Sequence, residues 1–311
     1  MSARPGGLVT LAYGWETGFT SGSGSVDKSF GRGQRVTNAT VRENPEIIYE
    51  LGSRFASTVA FKQFEGSLSL EWIMSNPWFF KGLMGVATTT SGTPFPQSTH
   101  SFTKTSGSIP SMEVDVGFVA SSGAITRKMM GAVVNSVTLT GAINDVVRVR
   151  AECPYYREPS VTLSYGTPTV DTFAPVTFCN ASLIIGGNII AEVQSFELTV
   201  GNNIQPIFGL GSCFAQGAIP TQFDAVGRMS VTMKDASFLG LLRTEVTSGV
   251  LYLNNGQTSN SMVTLTIGLN GLNFGEHSVN YQPNQIVIEN MPIAIRDIPS
   301  IIAINGTNVV P

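Results

Sequence analysis

Two histidines, His100 and His277, and three cysteines, Cys153, Cys179 and Cys213, are the residues best suited to metal ligation or nucleophilic chemistry. Their placement predicts neither. Zinc sites draw on cysteine and histidine at short, repeated spacings, and this chain has no C-x-x-C pair, so the cysteines read as buried or incidental free thiols. His100 falls in a Ser/Thr-rich stretch and His277 beside Gly275 and Glu276, so both are expected to be exposed loop residues. Glu113 and Asp115 stand two apart in MEVDVGFV, on one face of a strand, as an acid–base pair could be. Their alternation with Val114 and Val116 predicts the wet face of a sheet instead. The sequence carries no phosphate-binding G-x-x-x-x-G-K-[ST], no G-x-S-x-G and no dinucleotide fingerprint after a strand. Arg127-Lys128 is the nearest approach to a basic cluster and is expected to be a solvated turn. With a net charge of −3, no Lys/Arg stripe is available to neutralise phosphates. The expectation is a protein that is not an enzyme, with no cofactor and no metal.

The organising feature is a stretch that occurs twice. Residues 40–83 align without a gap on residues 199–242, an offset of 159 (210 − 51). Leu51-Gly52-Ser53 falls on Leu210-Gly211-Ser212, Thr40-Val41 on Thr199-Val200, Phe55-Ala56 on Phe214-Ala215 and Phe64 on Phe223. With Asn44/Asn203, Ile48/Ile207, Gln63/Gln222, Met74/Met233, Phe79/Phe238 and Leu83/Leu242, the identities are 14 in 44. Chance at average composition gives roughly two or three, so the chain is internally duplicated.

Each copy predicts the same unit. A strand (Asn38–Val41; Phe196–Val200) runs into a long Gly-containing loop and returns as a second strand. In that return, Ser67, Ser69 and Glu71 alternate with Leu68, Leu70 and Trp72 at period two. A short helix follows, started by Asn76-Pro77 in one copy and by Asp235 in the other. Elsewhere LVTLAYGWETGF, MEVDVGFV, VVNSVTLT, VVRVRA, VTLTIGL and QIVIENMPIAIRDI read as strands. Gly186-Gly187 between apolar runs reads as a hairpin turn. Residues 86–111 read as an exposed low-complexity loop, and 154–175, with four prolines, as the linker between halves.

Length agrees with about two domains. Charged residues are only 13 %, against about 25 % in typical globular chains, so much of the surface is either neutral polar or covered in an assembly. The start of the chain reads as lacking a leader, and no apolar run approaches the ~20 residues of a membrane helix. A soluble, reducing compartment is expected.

The second-half run ASLIIGGNIIAEVQSFELTVGNNIQPIFGLGS with its FDAVGRMSVTMKDASFLGLL return resembles the tail tube proteins of long-tailed phages. ENPEIIYELGSR and TRKMMGAVVNSVTLTGAINDVVRVRAE in the first half fit the same pattern. The resemblance implies a mainly β chain of two tandem tail-tube-type β-sandwich or half-barrel domains, each with one short helix. They would be residues 1–164, including an N-terminal arm, and 165–311. It implies self-association: three chains in a pseudo-hexameric ring, and rings stacked into a hollow filament. Closure of sheets between neighbours would remove their open edges. The lumen would hold the tape measure protein and then conduct DNA, with tail terminator and tail-tip proteins at the ends and no membrane contact. The location implied is the virion tail, of siphophage type, after assembly in the host cytoplasm.

The repeated loops are the expected inter-ring or inter-subunit contact, through Tyr49, Leu51, Gly52, Ser53 and Phe55 and through Phe208, Leu210, Gly211, Ser212 and Phe214. Their apolar content is unusual for solvated loops and predicts burial against a partner. Gly52 and Gly211 are expected to supply a special backbone conformation or a close approach. A lumen must not grip DNA, so a lining with few Lys/Arg is expected, with Glu71, Glu197 and Asp224 as candidates for inward-facing acids. The alternatives are the tube of a contractile tail or secretion system, and a two-domain β-sandwich glycan binder.

Overall fold

The computed structural model describes residues 9–23, 25–43, 45–49, 51, 54–60, 62–91, 98–120, 123–159, 173–190, 192–232, 246–258, 261–276, 278–280 and 287–305. The first half forms β1 (Val9–Trp15), β2 (Arg32–Arg42), β3 (Glu46–Tyr49), β4 (Ala56–Ala60), β5 (Glu65–Ile73), helix α1 (Phe80–Met84), β6 (Gly85–Ser91) and β7 (Ser98–Lys104). It continues with β8 (Met112–Ala120), β9 (Gly123–Ala132), β10 (Ser136–Ala142) and β11 (Arg148–Tyr155). The second half forms β12 (Ser182–Ile185), β13 (Asn188–Ile190), β14 (Val193–Gly201), β15 (Ile204–Ile207), β16 (Gly217–Pro220) and β17 (Asp224–Thr232). It ends with β18 (Val246–Asn254), β19 (Val263–Phe274), β20 (Ser278–Asn280), β21 (Ile288–Asp297) and β22 (Ser300–Asn305). The chain is mainly β, sandwich-like, and its large sheets are antiparallel.

One layer runs β2-β5-β11-β10-β14-β17-β21. The second runs β6-β7-β22-β19-β18-β12-β13. Strand β19 joins them, because Val263–Ile267 pair with β22 while Asn270–Phe274 pair with β21. Period-two patterning makes the first layer two-faced. In β5, Leu68, Leu70 and Trp72 are buried, and Glu71 and Ile73 on the opposite face are half-exposed. Each such large apolar side chain contributes about 1.5–3 kcal/mol on burial. Leu68, Leu70, Val149, Leu139, Leu198, Met229 and Met291 belong to one apolar core with Phe102, Ile301, Leu265 and Leu251 of the second layer. A separate sheet, β1-β8-β9, adds Tyr13, Met112 and Met129 to that core.

The strands keep the spacing of the repeated stretch. Strand β17 begins and ends 159 residues after β5, and hairpin β15–β16 follows β14 as hairpin β3–β4 follows β2. The halves are joined in both layers, by β10 with β14 and by β7 with β22.

Several local expectations are corrected. Residues 86–91 and 98–104 are not an exposed loop but paired strands, with Ser98, His100 and Phe102 turned inward. Helix α1 does not start at Asn76-Pro77. Its N-cap is Phe79 without a side-chain cap bond, and Asn76 is buried, donating its amide to the Ser29 carbonyl at 3.4 Å. The expected second helix, after Asp235, and residues 160–172 of the expected linker lie outside the described residues. Gly186 and Gly187 make the β12–β13 turn with φ of +58° and +83°, as a two-residue hairpin of this hand requires.

Candidate functional site

His100 is wholly buried rather than exposed. Its Nδ1 lies 2.9 Å from Thr89 Oγ1, its Nε2 3.1 Å from Asn305 Oδ1, and its ring meets Trp78 edge-on. Burial pushes its pKa below the ordinary value, partly opposed by the Asn305 bond. It is a structural residue linking β6, β7 and β22. His277 lies outside the described residues.

Glu113 and Asp115 do share a strand face, but that face is buried, with exposures of 1 % and 6 %. Residues 22 and 23 and the Lys128 side chain lie against Glu113 on that face. Lys128 Nζ lies 2.5 Å from Glu113 Oε1, and Ser23 donates its backbone N–H to Glu113 at 2.6 Å. Burial, then the charge of Glu113, pushes Asp115 up to about 6 against the opposing pull of Lys128. Arg127 and Lys128 therefore sit in β9, not in a solvated turn. Arg127 clasps Glu158 through Nε and Nη2, at 2.7 and 2.9 Å. Cys153 is buried, Cys179 and Cys213 are exposed, and all three are free thiols.

The remaining residues singled out from the sequence lie elsewhere, on the two hairpins and on the open face of the first layer. Hairpin β15–β16 folds back on the first half. Phe208, Ala215 and Ala218 pack with Ile109, Val133 and Tyr156. The Phe214 ring lies 5.6 Å from that of Phe64, the Phe64 N–H donates to the Cys213 carbonyl at 2.9 Å, and the Arg157 guanidinium covers Phe214. Gly211 adopts φ +84° with open space around it, so it is required for backbone conformation and not for close approach. Ser212 Oγ accepts from the Phe214 N–H at 3.1 Å, closing the turn. Leu210, at the tip, is fully exposed.

Hairpin β3–β4 stands out from the chain. Ile47, Ile48, Tyr49, Leu51, Phe55 and Val59 are all exposed, and Lys62 pairs with Glu46 at its base at 2.8 Å. Gly52 and Ser53 lie outside the described residues. The two hairpins thus share a sequence and differ in surroundings.

Directly opposed residues on neighbouring strands share a face, which locates the three candidate acids together. Glu71 is in a row with Arg150, Thr138, Thr199 and Val226. Glu197 is in the next row with Thr140, Arg148 and Arg228, and Asp224 in a row with Gly201, Ser136 and Glu152 on the other side. All three acids are therefore on the face turned away from the core. That face also carries Arg148, Arg150 and Arg228. Arg35 grips Glu71 at 2.8 Å, Arg150 holds Glu152 at 2.9 Å, and Arg228 stands opposite Glu197. Sequence reasoning missed Arg35 and Arg228 because the acids facing them lie on other strands, whereas Arg150 has Glu152 two residues further along β11.

Among the described residues no group of three or more His, Cys, Asp or Glu could hold a metal ion, and no helix is long and apolar enough to cross a membrane. A family model described as phage tail tube protein matches residues 6–296. No curated protein matches the chain.

Proposed function

The chain belongs to the phage tail tube protein family, and from that premise we propose that three copies close into a ring whose lumen is lined by the open face of the first layer. As a member of that family it is a structural component of the virion tail that self-assembles into a tube. The finer reading is a pseudo-hexameric ring of siphophage type, stacked into a filament that holds the tape measure protein and then conducts DNA. Tail terminator and tip proteins would bound its ends, after assembly in the host cytoplasm.

The observation that carries this reading is the β10–β14 pairing. Each half contributes four strands in the same order, β2-β5-β11-β10 and β14-β17-β21-β20, and the last strand of the first set pairs with the first strand of the second. Two such sets per chain make six in three chains. A sheet that passes from one half to the next in this way has edges only at its two ends, and closing the ring removes them.

The lining would be held neutral by arginines already paired with acids, so a passing phosphate meets satisfied charges rather than free cations. Stacking is supported by hairpin β15–β16. It already has a lateral neighbour in its own chain, yet Leu210, Ile207 and Ile219 stay exposed. These apolar tips, with Leu51 and Tyr49 of the other hairpin, are assigned to the adjoining ring.

Native mass measurement with negative-stain imaging tests the reading. Three-chain rings with six lobes, or tubes built of them, are expected. Rings of six chains would keep a tube and overturn the three-chain count. A chain that stays monomeric when concentrated would overturn self-assembly through these surfaces.

A further inference from the structure

A lysine and two carboxyls share one covered face of the β1-β8-β9 sheet. Asp115 stands directly opposite Lys128 across the β8–β9 pair, which puts both side chains on that face with Cβ atoms roughly 4.5–5.5 Å apart. Glu113, two residues before Asp115, is on the face too, with its Oε1 2.5 Å from Lys128 Nζ. Solvent is largely shut out, the Glu113 side chain being 2 % exposed and that of Lys128 22 %. On β1 the residues opposite Asp115 and Glu113 are Ala12 and Gly14, neither with a polar side chain. Residues 22, 23 and 25 close over them. A Cβ on Gly14 would collide with the Ser25 carbonyl, and one on Gly22 would come 3.1 Å from Glu113 Oε2 and 3.3 Å from the Met130 methyl. The other acid of this region, Glu16, has its carboxylate taken up by the backbone N–H groups of Thr20, Gly22 and Gly131.

The two carboxyls are placed unequally. Both oxygens of Glu113 are engaged, Oε1 by Lys128 and Oε2 by the Ser23 N–H at 2.6 Å. Asp115 instead has a buried Oδ1 without a hydrogen-bond partner. Burial, with the charge of Glu113 beside it, holds the Asp115 pKa up at about 6. A neutral carboxyl is open to attack by a nucleophile, whereas a carboxylate resists it. Surroundings that separate two neighbouring acids in this way assign them different roles.

We propose that Lys128 and Asp115 condense into an intramolecular isopeptide bond, with Glu113 as the catalytic base and acid. Glu113 takes a proton from the Lys128 ammonium across their contact, which frees the electron pair on Nζ. That pair attacks Cγ of neutral Asp115 and forms the C–N bond. The Cγ–O bond to the hydroxyl then breaks, and the hydroxyl leaves as water with the proton held by Glu113. Nζ passes its surplus proton back to Glu113. Ammonium, carboxylate and carboxylic acid thus become amide, water and neutral Glu113, so protons and charge balance and no co-reactant is needed. Bulk water and rare encounter ordinarily oppose such a condensation. A buried pair held in register meets neither obstacle, and well-oriented groups reach effective molarities of roughly 10⁵–10⁸ M. The newly folded chain holds all three groups free, the state in which Asp115 titrates, and condensation follows. The bond ties β9, the edge strand of this sheet, covalently to β8. It is independent of the proposed ring.

Intact mass of the full chain, taken just after refolding and through prolonged incubation, tests the bond. The expected course is loss of one water per chain. Trypsin locates it, because cleavage after Arg127 separates residues 105–127 from residues 128–148 in the free chain. The bonded chain yields those two peptides as one branched species. The rate of loss should fall about tenfold per pH unit above about 6, as Asp115 becomes a carboxylate. Lys128→Arg and Asp115→Ala should keep the full mass, and Glu113→Gln should slow the loss by about a hundredfold or more. A folded parent chain that keeps its full mass throughout would overturn the proposal and leave a plain ion-paired cluster. Water lost without joining residues 105–127 to 128–148, as when an aspartyl residue closes on its own backbone, would overturn it too. The parent chain decides the bond whether or not the variants fold. Loss at the parental rate in a folded Glu113→Gln chain would overturn the role of Glu113.

Discussion

Thr138 and Thr199 stand directly opposite each other where the two halves meet, their hydroxyls 2.9 Å apart on the open face of the sheet. One belongs to the last strand of the first set and the other to the first strand of the second. A cross-strand Thr–Thr pair contributes roughly 0.2–1 kcal/mol. Thr138→Val and Thr199→Val should therefore each destabilise modestly. Because they share one bond, the double variant should cost less than the sum. Chemical denaturation of the four species measures the coupling; strict additivity would show that the hydroxyls act independently.

Asp115 carries a pH signature. Its folded pKa lies above the ordinary value of 3.8, at about 6, because burial and Glu113 disfavour the carboxylate more than Lys128 favours it. The folded state therefore binds this proton more tightly than the unfolded state. Its stabilising contribution is complete below about pH 4 and is lost as the pH rises through about 6. Asp115→Asn removes the charge from a carboxyl whose Oδ1 is buried without a hydrogen-bond partner. The variant should match the parent at pH 4 and exceed it at pH 7 by on the order of 1–2 kcal/mol. Thermal melts across that range would expose the error if the difference were flat or reversed.

Two glycines should respond differently to the same substitution. Gly211→Ala meets open space but must hold φ near +84°, which costs about 1 kcal/mol. Gly66→Ala places its Cβ 2.5 Å from the Tyr155 ring, whose hydroxyl donates to the Thr40 carbonyl at 3.2 Å. Displacing that ring should cost on the order of 1–3 kcal/mol. The repeat tolerates Ala225 at the counterpart of Gly66, because Ile295 stands there in place of Tyr155. Urea midpoints rank the two variants, and the reverse order would contradict the packing argument.

Leu51 and Leu210 should matter to assembly and not to folding. Both are fully exposed hairpin-tip residues. Leu51→Asp and Leu210→Asp should leave the unfolding free energy within about 0.5 kcal/mol of the parent, as surface changes do. Each should nevertheless shorten or abolish filaments, because a charge would have to be buried between rings. Sedimentation of assembled tubes checks this. Normal filament length in both variants would remove the tips from the stacking contact.

What was legible in the sequence was whatever depended on neighbours along the chain. The alternation of Leu68, Leu70 and Trp72 with polar residues placed β5 and its buried face, because a strand turns every second side chain the same way. The Gly186-Gly187 turn was readable for the same local reason. Hairpin β6–β7 was hidden because Ser and Thr occupy both faces, so no apolar period marks it, and His100 turns inward only because Asn305 arrives from the far end of the chain. Glu113 and Asp115 looked wet for a related reason. Their alternation with valines is real, but Ser23 and Lys128, which answer Glu113, are brought there by the fold.

The sequence by itself determined that the chain is β-rich and poor in charge, and that residues 40–83 and 199–242, 159 apart, share 14 identities in 44 positions. It could not show that β20 pairs with β21 as β10 pairs with β11 140 residues earlier, Asn280 standing opposite Ile288 as Thr140 stands opposite Arg148. Over residues 136–155 and 276–295 only Asn144/Asn284 and Val147/Val287 are identical. Strand pairing is made by backbone N–H and C=O groups that every residue but proline carries in full, so a register can persist after the side chains have diverged. Only the tertiary structure decided that the two halves join through β10 and β14, and that one hairpin is covered by its own chain while its twin remains exposed.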